Sequence, residues 1–151
     1  MDNYNTGTCL RILSYINIMR KSAKIIVLDK DNNILILRRS DTHPYWPKHY
    51  DFPGGIIETN ETAEIGIERE LLEETGLKAD NVSLIYEKKH LLGFHRFIYI
   101  SKLDTVKPKI LISWEHDQAK WMTKSEIMSL KMPVGVDIFY KKVIEKIKDI
   151  I

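Results

Sequence analysis

The chain has 151 residues, of which 44% are hydrophobic and 29% are charged, values typical of one globular domain rather than a disordered or fibrous protein. Its 23 Lys and Arg residues stand against 21 Asp and Glu residues, which leaves a formal charge of +2. So small a net charge does not indicate a nucleic-acid polymer or a membrane surface as partner.

The N-terminal end holds an apolar run and the single cysteine of the chain. Cys9 cannot form an intrachain disulfide, so we predict a cytoplasmic protein. The apolar run from Cys9 to Met19 is about half as long as the roughly 20 residues needed to span a bilayer, so no membrane anchor is predicted. Its helical periodicity is typical of a short arm that packs on the domain, through Leu10, Leu13 and Ile16.

We interpret residues 1–18 as an N-terminal extension and residues 19–151 as a single domain. A second interpretation places the biological start at Met19, which would leave the extension outside the functional domain. The sequence contains no repeats, low-complexity tracts or Gly/Ser linkers, which again favours one domain.

The remaining sequence predicts strands and helices in mixed order. Strands are predicted at residues 24–28, 34–37, 82–88, 95–101, 110–113 and 119–122, the first two as a hairpin. Helices are predicted at 62–75, at 124–130 and, with an amphipathic pattern, from Val136 onward. This order predicts an α+β or layered α/β/α domain.

Residues 58–74 contain seven glutamates and one arginine, a local charge of −6, so the rest of the chain has 22 basic and 14 acidic residues and a charge of +8. Glu70, Glu73 and Glu74 share one face of the predicted helix because they are three and four residues apart. Like charges at this spacing repel each other, and a divalent cation would reverse the sign of that effect. Clusters of carboxylate oxygens suit Mg²⁺ and Mn²⁺.

Other positions of the same helix have simpler interpretations. Glu64 and Glu68 are expected to be solvated. Gly66 would leave room for a metal or a phosphate one turn before Glu70. Apolar residues on two flanks predict that the helix is held between layers, with Ala63, Ile67 and Leu71 on one flank and Ile65 and Leu72 on the other.

These residues match a known signature. Gly55, five residues, Glu61, seven residues and then the run Arg-Glu-Leu-Leu-Glu-Glu-Thr-Gly-Leu at 69–77 resemble the Nudix box at every defined position. Arg38-Arg39, Phe52-Pro53-Gly54-Gly55 and a glutamate six residues before Trp121-Met122 extend the resemblance to MutT-type nucleoside triphosphate pyrophosphohydrolases over about 22–147. The resemblance implies an α/β/α sandwich with a mixed central sheet, in which the box forms a loop, a helix and a loop.

The resemblance also implies a metal site. Glu70, Glu73 and Glu74 would hold Mg²⁺, with Mn²⁺ as a substitute and the backbone carbonyl of Gly54 as a further ligand. Glu115 matches the position that supplies an extra ligand or the general base in MutT-like relatives. The base stays open among Glu115, Glu70 and Glu73.

Further residues are assigned supporting or substrate-binding roles by the resemblance. Arg69 joins the catalytic set by orienting carboxylates through bidentate hydrogen bonds, with Glu61 as its expected partner. Arg39 is expected to clamp phosphate, Phe52 to line the nucleoside side unless it packs in the core, and Arg96 to lie near the purine.

Two aromatic residues and the histidines complete the candidates. Tyr45 and Trp46 could stack on a base, although packing at the core or rim is the more ordinary use of either residue. The five histidines lack zinc-like spacing and are interpreted as ordinary loop or strand residues.

The resemblance implies hydrolysis of a nucleoside diphosphate-linked substrate by attack of water on phosphorus. Because the chain lacks the subfamily signatures of ADP-ribose, dinucleoside polyphosphate and NADH hydrolases, the leading hypothesis is a (deoxy)nucleoside triphosphate such as 8-oxo-dGTP, cut to monophosphate and pyrophosphate. The guanine-reading asparagine of MutT-like enzymes has no match near Pro133-Val134-Gly135, although Asp137 is close. ADP-sugar or dinucleotide substrates and a non-catalytic nucleotide sensor remain alternatives, and a homodimer stays open.

Overall fold

The computed structural model of the protein describes residues 20–89, 93–130 and 136–147. The predicted extension, residues 1–18, lies outside the described residues, as do the alternative start at Met19 and the segment from Pro133 to Gly135. Within the described part of the chain, no helix combines the length and the apolar character needed to cross a bilayer.

One mixed sheet forms the centre of the described structure. Its strands are β1 (Arg20–Leu28), β2 (Ile34–Arg39), β3 (Tyr50–Asp51), β4 (Ser83–Lys89), β5 (Phe94–Lys102) and β6 (His116–Met122). The strand order is β3-β2-β1-β5-β4, and β6 pairs with β2. β1 and β5 are parallel, whereas the other pairs are antiparallel. The predicted hairpin of the first two strands is confirmed, with Leu28 opposite Ile34.

Three helices lie within the described residues, namely α1 (Ala63–Thr75), α2 (Lys124–Ser129) and α3 (Val136–Lys146). The Thr62 hydroxyl accepts a hydrogen bond from the Ile65 amide at 3.2 Å, which caps the start of α1. Gly76 ends the helix with a φ of 70°, a left-handed conformation that glycine adopts without strain. The predicted boundaries of α1 are therefore confirmed.

The sheet is covered on both faces. One core cluster joins the sheet to α3, for example through Ile26, Ile98 and Ile144. The other joins it to α1, for example through Ile25 and Ile67. Because alternate residues of β1 enter opposite cores, both faces of the strand are buried. The predicted α/β/α sandwich with a mixed central sheet is confirmed.

The predicted strand at 110–113 is wrong. This segment is irregular, and its amides donate instead to the last turn of α1: Leu111 to the Thr75 carbonyl at 2.9 Å and Ser113 to the Glu74 carbonyl at 3.3 Å. The last carbonyls of a helix need partners from outside the helix, and this segment supplies them. It thereby ties the loop before β6 to the acidic helix.

Two expectations for α1 are also wrong. The helix is not held between layers, because Ile65 and Leu72 are exposed and only the Ile67 flank meets the sheet. Gly66 does not open space for a metal: a Cβ there would lie 2.6 Å from Ile57 Cδ1 and 2.7 Å from Glu61 Oε1. The glycine instead allows the loop before α1 to pack closely on the helix.

Candidate active site

An open cleft of about 390 Å³ lies where α1 meets β1 and the loops that precede β3 and β6. It brings together five of the nine predicted site residues, namely Arg39, Gly54, Glu70, Glu74 and Glu115. The other four, Arg69, Glu73, Phe52 and Arg96, are not among its lining residues.

Glu74 is the most deeply buried acid of α1. Its residue exposure is 6%, and its Oε2 accepts a hydrogen bond from the Gly54 amide at 2.7 Å. Burial raises the pKa of Glu74 to about 8, although the nearby Lys24 ammonium and the Gly54 amide oppose the shift. At neutral pH this carboxyl therefore requires either a proton or a cation.

Glu70 lies one turn before Glu74 and its carboxylate packs against Gly55. A Cβ at Gly55 would lie 2.7 Å from Glu70 Oε1, so only glycine leaves room for this carboxylate. Burial raises the pKa of Glu70, against the lowering effect of Arg69. Gly54 has a φ of 122°, and a Cβ there would lie 2.3 Å from the Ala23 carbonyl oxygen. The two glycines thus bring the loop onto both β1 and the acidic helix.

Arg69 makes the contact that the sequence predicts. Its Nε and Nη2 donate to the two Glu61 carboxylate oxygens at 3.1 and 2.7 Å. Its Nη1 donates to Glu70 and to Glu73, each at 3.1 Å. These bonds raise the pKa of Arg69, Glu61 above all, so the guanidinium stays charged and orients three carboxylates.

Glu73 lies apart from Glu70 and Glu74, the other two predicted metal ligands of the helix. Its side chain is 59% exposed and is held by Arg69 on the outer side of the cleft. Adjacent helical residues point about 100° apart, so Glu73 turns to solvent while Glu74 turns to the sheet. Among the described residues, no three carboxylate, imidazole or thiolate side chains form a ready metal site. Glu70 and Glu74 line the cleft and Glu73 does not, and the assignment of all three to the metal site stays a prediction.

Glu115 approaches the cleft from the loop before β6. Its carbonyl accepts a hydrogen bond from the Ser40 amide at 2.8 Å, and its Oε2 lies 3.8 Å from His43 Nε2. The carboxylate is partly exposed, so water reaches it. This position at the cleft is compatible with either of the two predicted roles of Glu115.

His116 was interpreted as an ordinary residue, but it lines the cleft. Its Nε2 lies 3.8 Å from Glu74 Oε1, and its buried Nδ1 has no hydrogen-bond partner. Burial lowers the pKa of His116 to about 4, so the ring is neutral at pH 7 and one nitrogen offers a lone pair. In the sequence, the feature that could have indicated a place at the cleft is that His116 directly follows Glu115.

Asp51 and Lys24 are the other residues that the sequence analysis missed. Asp51 Oδ2 lies 2.9 Å from Lys24 Nζ and 2.6 Å from Arg39 Nη2, and its Oδ1 accepts a hydrogen bond from the Tyr140 hydroxyl. Burial alone would raise the pKa of Asp51, but Lys24 and Arg39 lower it to about 2. Asp51 thus fixes two cations at the cleft.

Phe52 takes the second of its two predicted positions, and Arg96 lies outside the cleft lining. Phe52 is fully buried and packs edge-on against Tyr140, with ring centroids 4.6 Å apart, so it is a core residue. Arg96 lies on β5 opposite Ser22, is exposed, and is absent from the cleft lining.

The predicted aromatic residues lie at the edge of the cleft. Tyr45 and Trp46 are both exposed, and Tyr45 lines the cleft itself. The Arg39 guanidinium lies 5.7 Å from the centre of the Trp46 ring, while its Nη1 donates to the Tyr45 carbonyl at 2.7 Å. The loop therefore holds the arginine between its aromatic residues and Asp51.

The residues at the cleft fit a divalent cation of the Mg²⁺ type. The donor set consists of oxygens: the carboxylates of Glu70 and Glu74 and the Gly54 carbonyl, to which partly exposed Glu115 adds a further oxygen. Both helix carboxylates have raised pKa values because they are buried, and a cation would relieve this cost. The unpaired Nδ1 of His116 is a further polar atom without a protein partner at the cleft.

Comparison with known proteins agrees with the fold. The NUDIX domain family matches residues 19–146. An RNA pyrophosphohydrolase from Histophilus somni (strain 2336) is 35% identical over 75 residues, which cover 50% of this chain and 36% of that protein. A putative 8-oxo-dGTP diphosphatase from Bacillus subtilis (strain 168) is 42% identical over 59 residues, which cover 39% of this chain and 36% of that protein. The chain thus spans about a third of the length of either relative.

A solved structure gives the same result for the fold. The crystal structure of the MutT protein from Methanosarcina mazei Go1 superimposes with a TM-score of 0.67 at 21% identity, over 85% of this chain and 95% of that chain. The region matched by the NUDIX domain family, residues 19–146, includes the whole signature from Gly55 to Leu77. The chain belongs to the NUDIX domain family.

Proposed function

We propose that the protein is a Mg²⁺-dependent hydrolase that cuts a (deoxy)nucleoside triphosphate, such as 8-oxo-dGTP, to the monophosphate and pyrophosphate. The observation that carries this proposal is Glu74, whose pKa burial raises to about 8, beside Glu70 in a cleft that also holds two cationic side chains. Such a cleft combines carboxylate ligands for a metal with cations for phosphates.

The residues of the cleft divide the work of the reaction. Mg²⁺, when bound by Glu70, Glu74 and the Gly54 carbonyl, would neutralise phosphate charge and activate the attacking water. Arg39, fixed by Asp51, faces the same cleft and would bind a phosphate oxygen. Arg69 keeps Glu70 in place from outside the cleft.

The general base is better sought in Glu115 or Glu70 than in Glu73. Glu115 is partly exposed at the cleft, where a water molecule can reach its carboxylate. Glu70 lies at the cleft beside Glu74. Glu73 is bound by Arg69 and is not among the lining residues. A base must lie within hydrogen-bond reach of the water it deprotonates, and this favours the first two.

The names of two relatives bear on the identity of the substrate. The two relatives are named for RNA and for 8-oxo-dGTP. RNA with a 5′-triphosphate is therefore a second candidate, since it offers the same triphosphate group to the cleft. The open shape of the cleft and its exposed Tyr45 are compatible with either.

The test is a substrate panel with Mg²⁺: 8-oxo-dGTP, the ordinary nucleoside triphosphates, 5′-triphosphorylated RNA, ADP-ribose and a dinucleoside tetraphosphate. Products are resolved by anion-exchange chromatography. We expect a monophosphate and pyrophosphate from a triphosphate. Release of AMP and a sugar phosphate would instead favour the ADP-sugar alternative, and nucleotide binding without turnover of any substrate would indicate a sensor.

A further inference from the structure

Lys24 is a cation at the centre of β1, directly before its buried apolar run Ile25–Leu28. β1 buries Ala23 and Ile25 on either side of it, and the Lys24 side chain is itself only 18% exposed. Its ammonium group donates to the Phe52 carbonyl at 3.0 Å and to the Gly54 carbonyl, and it lies 2.9 Å from Asp51 Oδ2. These three acceptors match the three N–H donors of an ammonium group.

The same ammonium acts on the acidic helix. Lys24 lines the cleft together with Glu70 and Glu74 of that helix, so its positive charge lies at the same cleft as their carboxylates. It also occupies one side of the Gly54 carbonyl oxygen, whose second lone pair remains free for another partner. Lys24 therefore contacts one candidate metal ligand and shares the cleft with two others.

We propose that Lys24 is a built-in counter-cation of the cleft, which shares the Gly54 carbonyl with the divalent metal and weakens the binding of free metal. The inference rests on the proposed function, because it assumes that the cleft binds a divalent cation. Two positive charges that share an oxygen repel each other, so the ammonium opposes the metal. Nucleotide phosphates bring negative charge that offsets this repulsion. Lys24 would thus favour the metal–nucleotide complex over the metal alone.

The experiment measures Mn²⁺ binding by electron paramagnetic resonance, with no nucleotide present. Lys24→Met removes the charge and keeps a similar length. We expect Mn²⁺ to bind at least about tenfold more tightly, the effect that one neighbouring charge commonly has on a titration equilibrium. Lys24→Arg keeps the charge and should stay near wild type. Lys120→Met is the matched control, because Lys120 lies on β6, contacts the Tyr50 hydroxyl and is not among the lining residues of the cleft.

A charge-balanced variant covers the case in which Lys24→Met fails to fold. Lys24→Met/Asp51→Asn removes the ammonium together with its buried partner, so the net charge is unchanged. Because Lys24 lines the cleft and Asp51 is not among its lining residues, we expect this variant still to bind Mn²⁺ more tightly than wild type.

Two results would overturn the inference. If wild type binds Mn²⁺ and the folded Lys24 variants bind it equally or more weakly, Lys24 is only a structural residue and the proposed function is untouched. If wild type binds no Mn²⁺ at all, the metal site of the proposed function fails, and this inference fails with it.

Discussion

Asp51 and Glu74 are two carboxylic acids with nearly the same burial, at 5% and 6% exposure, but their pKa values shift in opposite directions. Asp51 contacts Lys24 and Arg39, which lower its pKa to about 2. Glu74 has one amide hydrogen bond and a more distant effect of Lys24, and burial raises its pKa to about 8. Burial disfavours the charged form of a carboxyl group, and contact with cations offsets this desolvation free energy for Asp51 but not for Glu74. We propose that the carboxylate without a contacting cation, Glu74, is the functional one.

The largest expected effect is on folding stability and concerns Asp51, the acid that contacts two cations. Asp51→Asn should lower the free energy of unfolding by about 3–5 kcal/mol, because it leaves two partly buried cations without their anionic partner. Urea denaturation measures the change. Asp117→Asn, which removes a carboxylate paired with Arg38 and Lys48 at the surface, should cost much less. Equal losses in the two variants would show that Asp51 is no more important than a surface ion pair.

Glu74, in contrast, should matter for turnover rather than for folding stability. We expect Glu74→Gln to reduce kcat by at least about 100-fold, since it removes a charged metal ligand at the reacting phosphates. Thermal unfolding of the variant should match wild type or exceed it. Glu68→Gln is the control, because Glu68 is exposed on the same helix. Wild-type turnover of a folded Glu74→Gln protein would refute the metal assignment.

Glu73 and Glu74 are adjacent on α1 and allow a direct comparison of an exposed and a buried glutamate. Since Glu73 is exposed and bound to Arg69, we expect Glu73→Gln to reduce kcat less than Glu74→Gln does. Steady-state kinetics on the same substrate decides the order. A larger loss in Glu73→Gln would mean that the Arg69–Glu73 contact is broken during turnover and that Glu73 joins the metal site.

Arg39 tests the cationic side of the cleft. Arg39→Gln should raise KM for the triphosphate about tenfold, which corresponds to roughly 1.4 kcal/mol for a lost phosphate contact. Arg38→Gln is the neighbouring control, because Arg38 pairs with Asp117 and is absent from the cleft lining. The same KM increase in both variants would point to a general charge effect.

The smallest expected effect concerns residues 1–18. We propose that they are an extension of the domain, so a protein that starts at Met19 should retain its thermal midpoint and its turnover. Loss of either property would show that Leu10, Leu13 and Ile16 pack on the domain, as their helical spacing suggests.

Local patterns in the sequence predicted the local structure well. The threonine and glycine at the ends of α1 act within a few residues, and the Glu61–Arg69 contact follows from the loop and helix of one motif. The strand predicted at 110–113 failed because its polar backbone caps α1 instead of joining the sheet. Periodicity reports which residues are buried, but it does not identify the partner.

The missed residues depend on contacts that are distant in sequence. Lys24 meets Asp51 only when β1 and β3 come together in the sheet, and neither residue has a local pattern that marks it. Phe52 is in the core because α3 brings Tyr140 against it. Glu73 and Glu74 are neighbours, and only the packed orientation of α1 shows which of them faces the cleft.

The claim that Glu74 is a buried carboxylate that binds a divalent cation is tested by the pH dependence of stability. The measurement compares wild type with Glu74→Gln, in EDTA and in Mg²⁺. The pKa of Glu74 is raised from 4.5 to about 8 in the folded protein, so its stabilising effect is complete below pH 4.5 and is lost as the pH rises towards 8. In EDTA, the thermal midpoint of wild type should fall between pH 5 and 8 more steeply than that of Glu74→Gln, and Mg²⁺ should remove the difference. Parallel profiles that ignore Mg²⁺ would contradict the claim that Glu74 is a buried carboxylate awaiting a divalent cation.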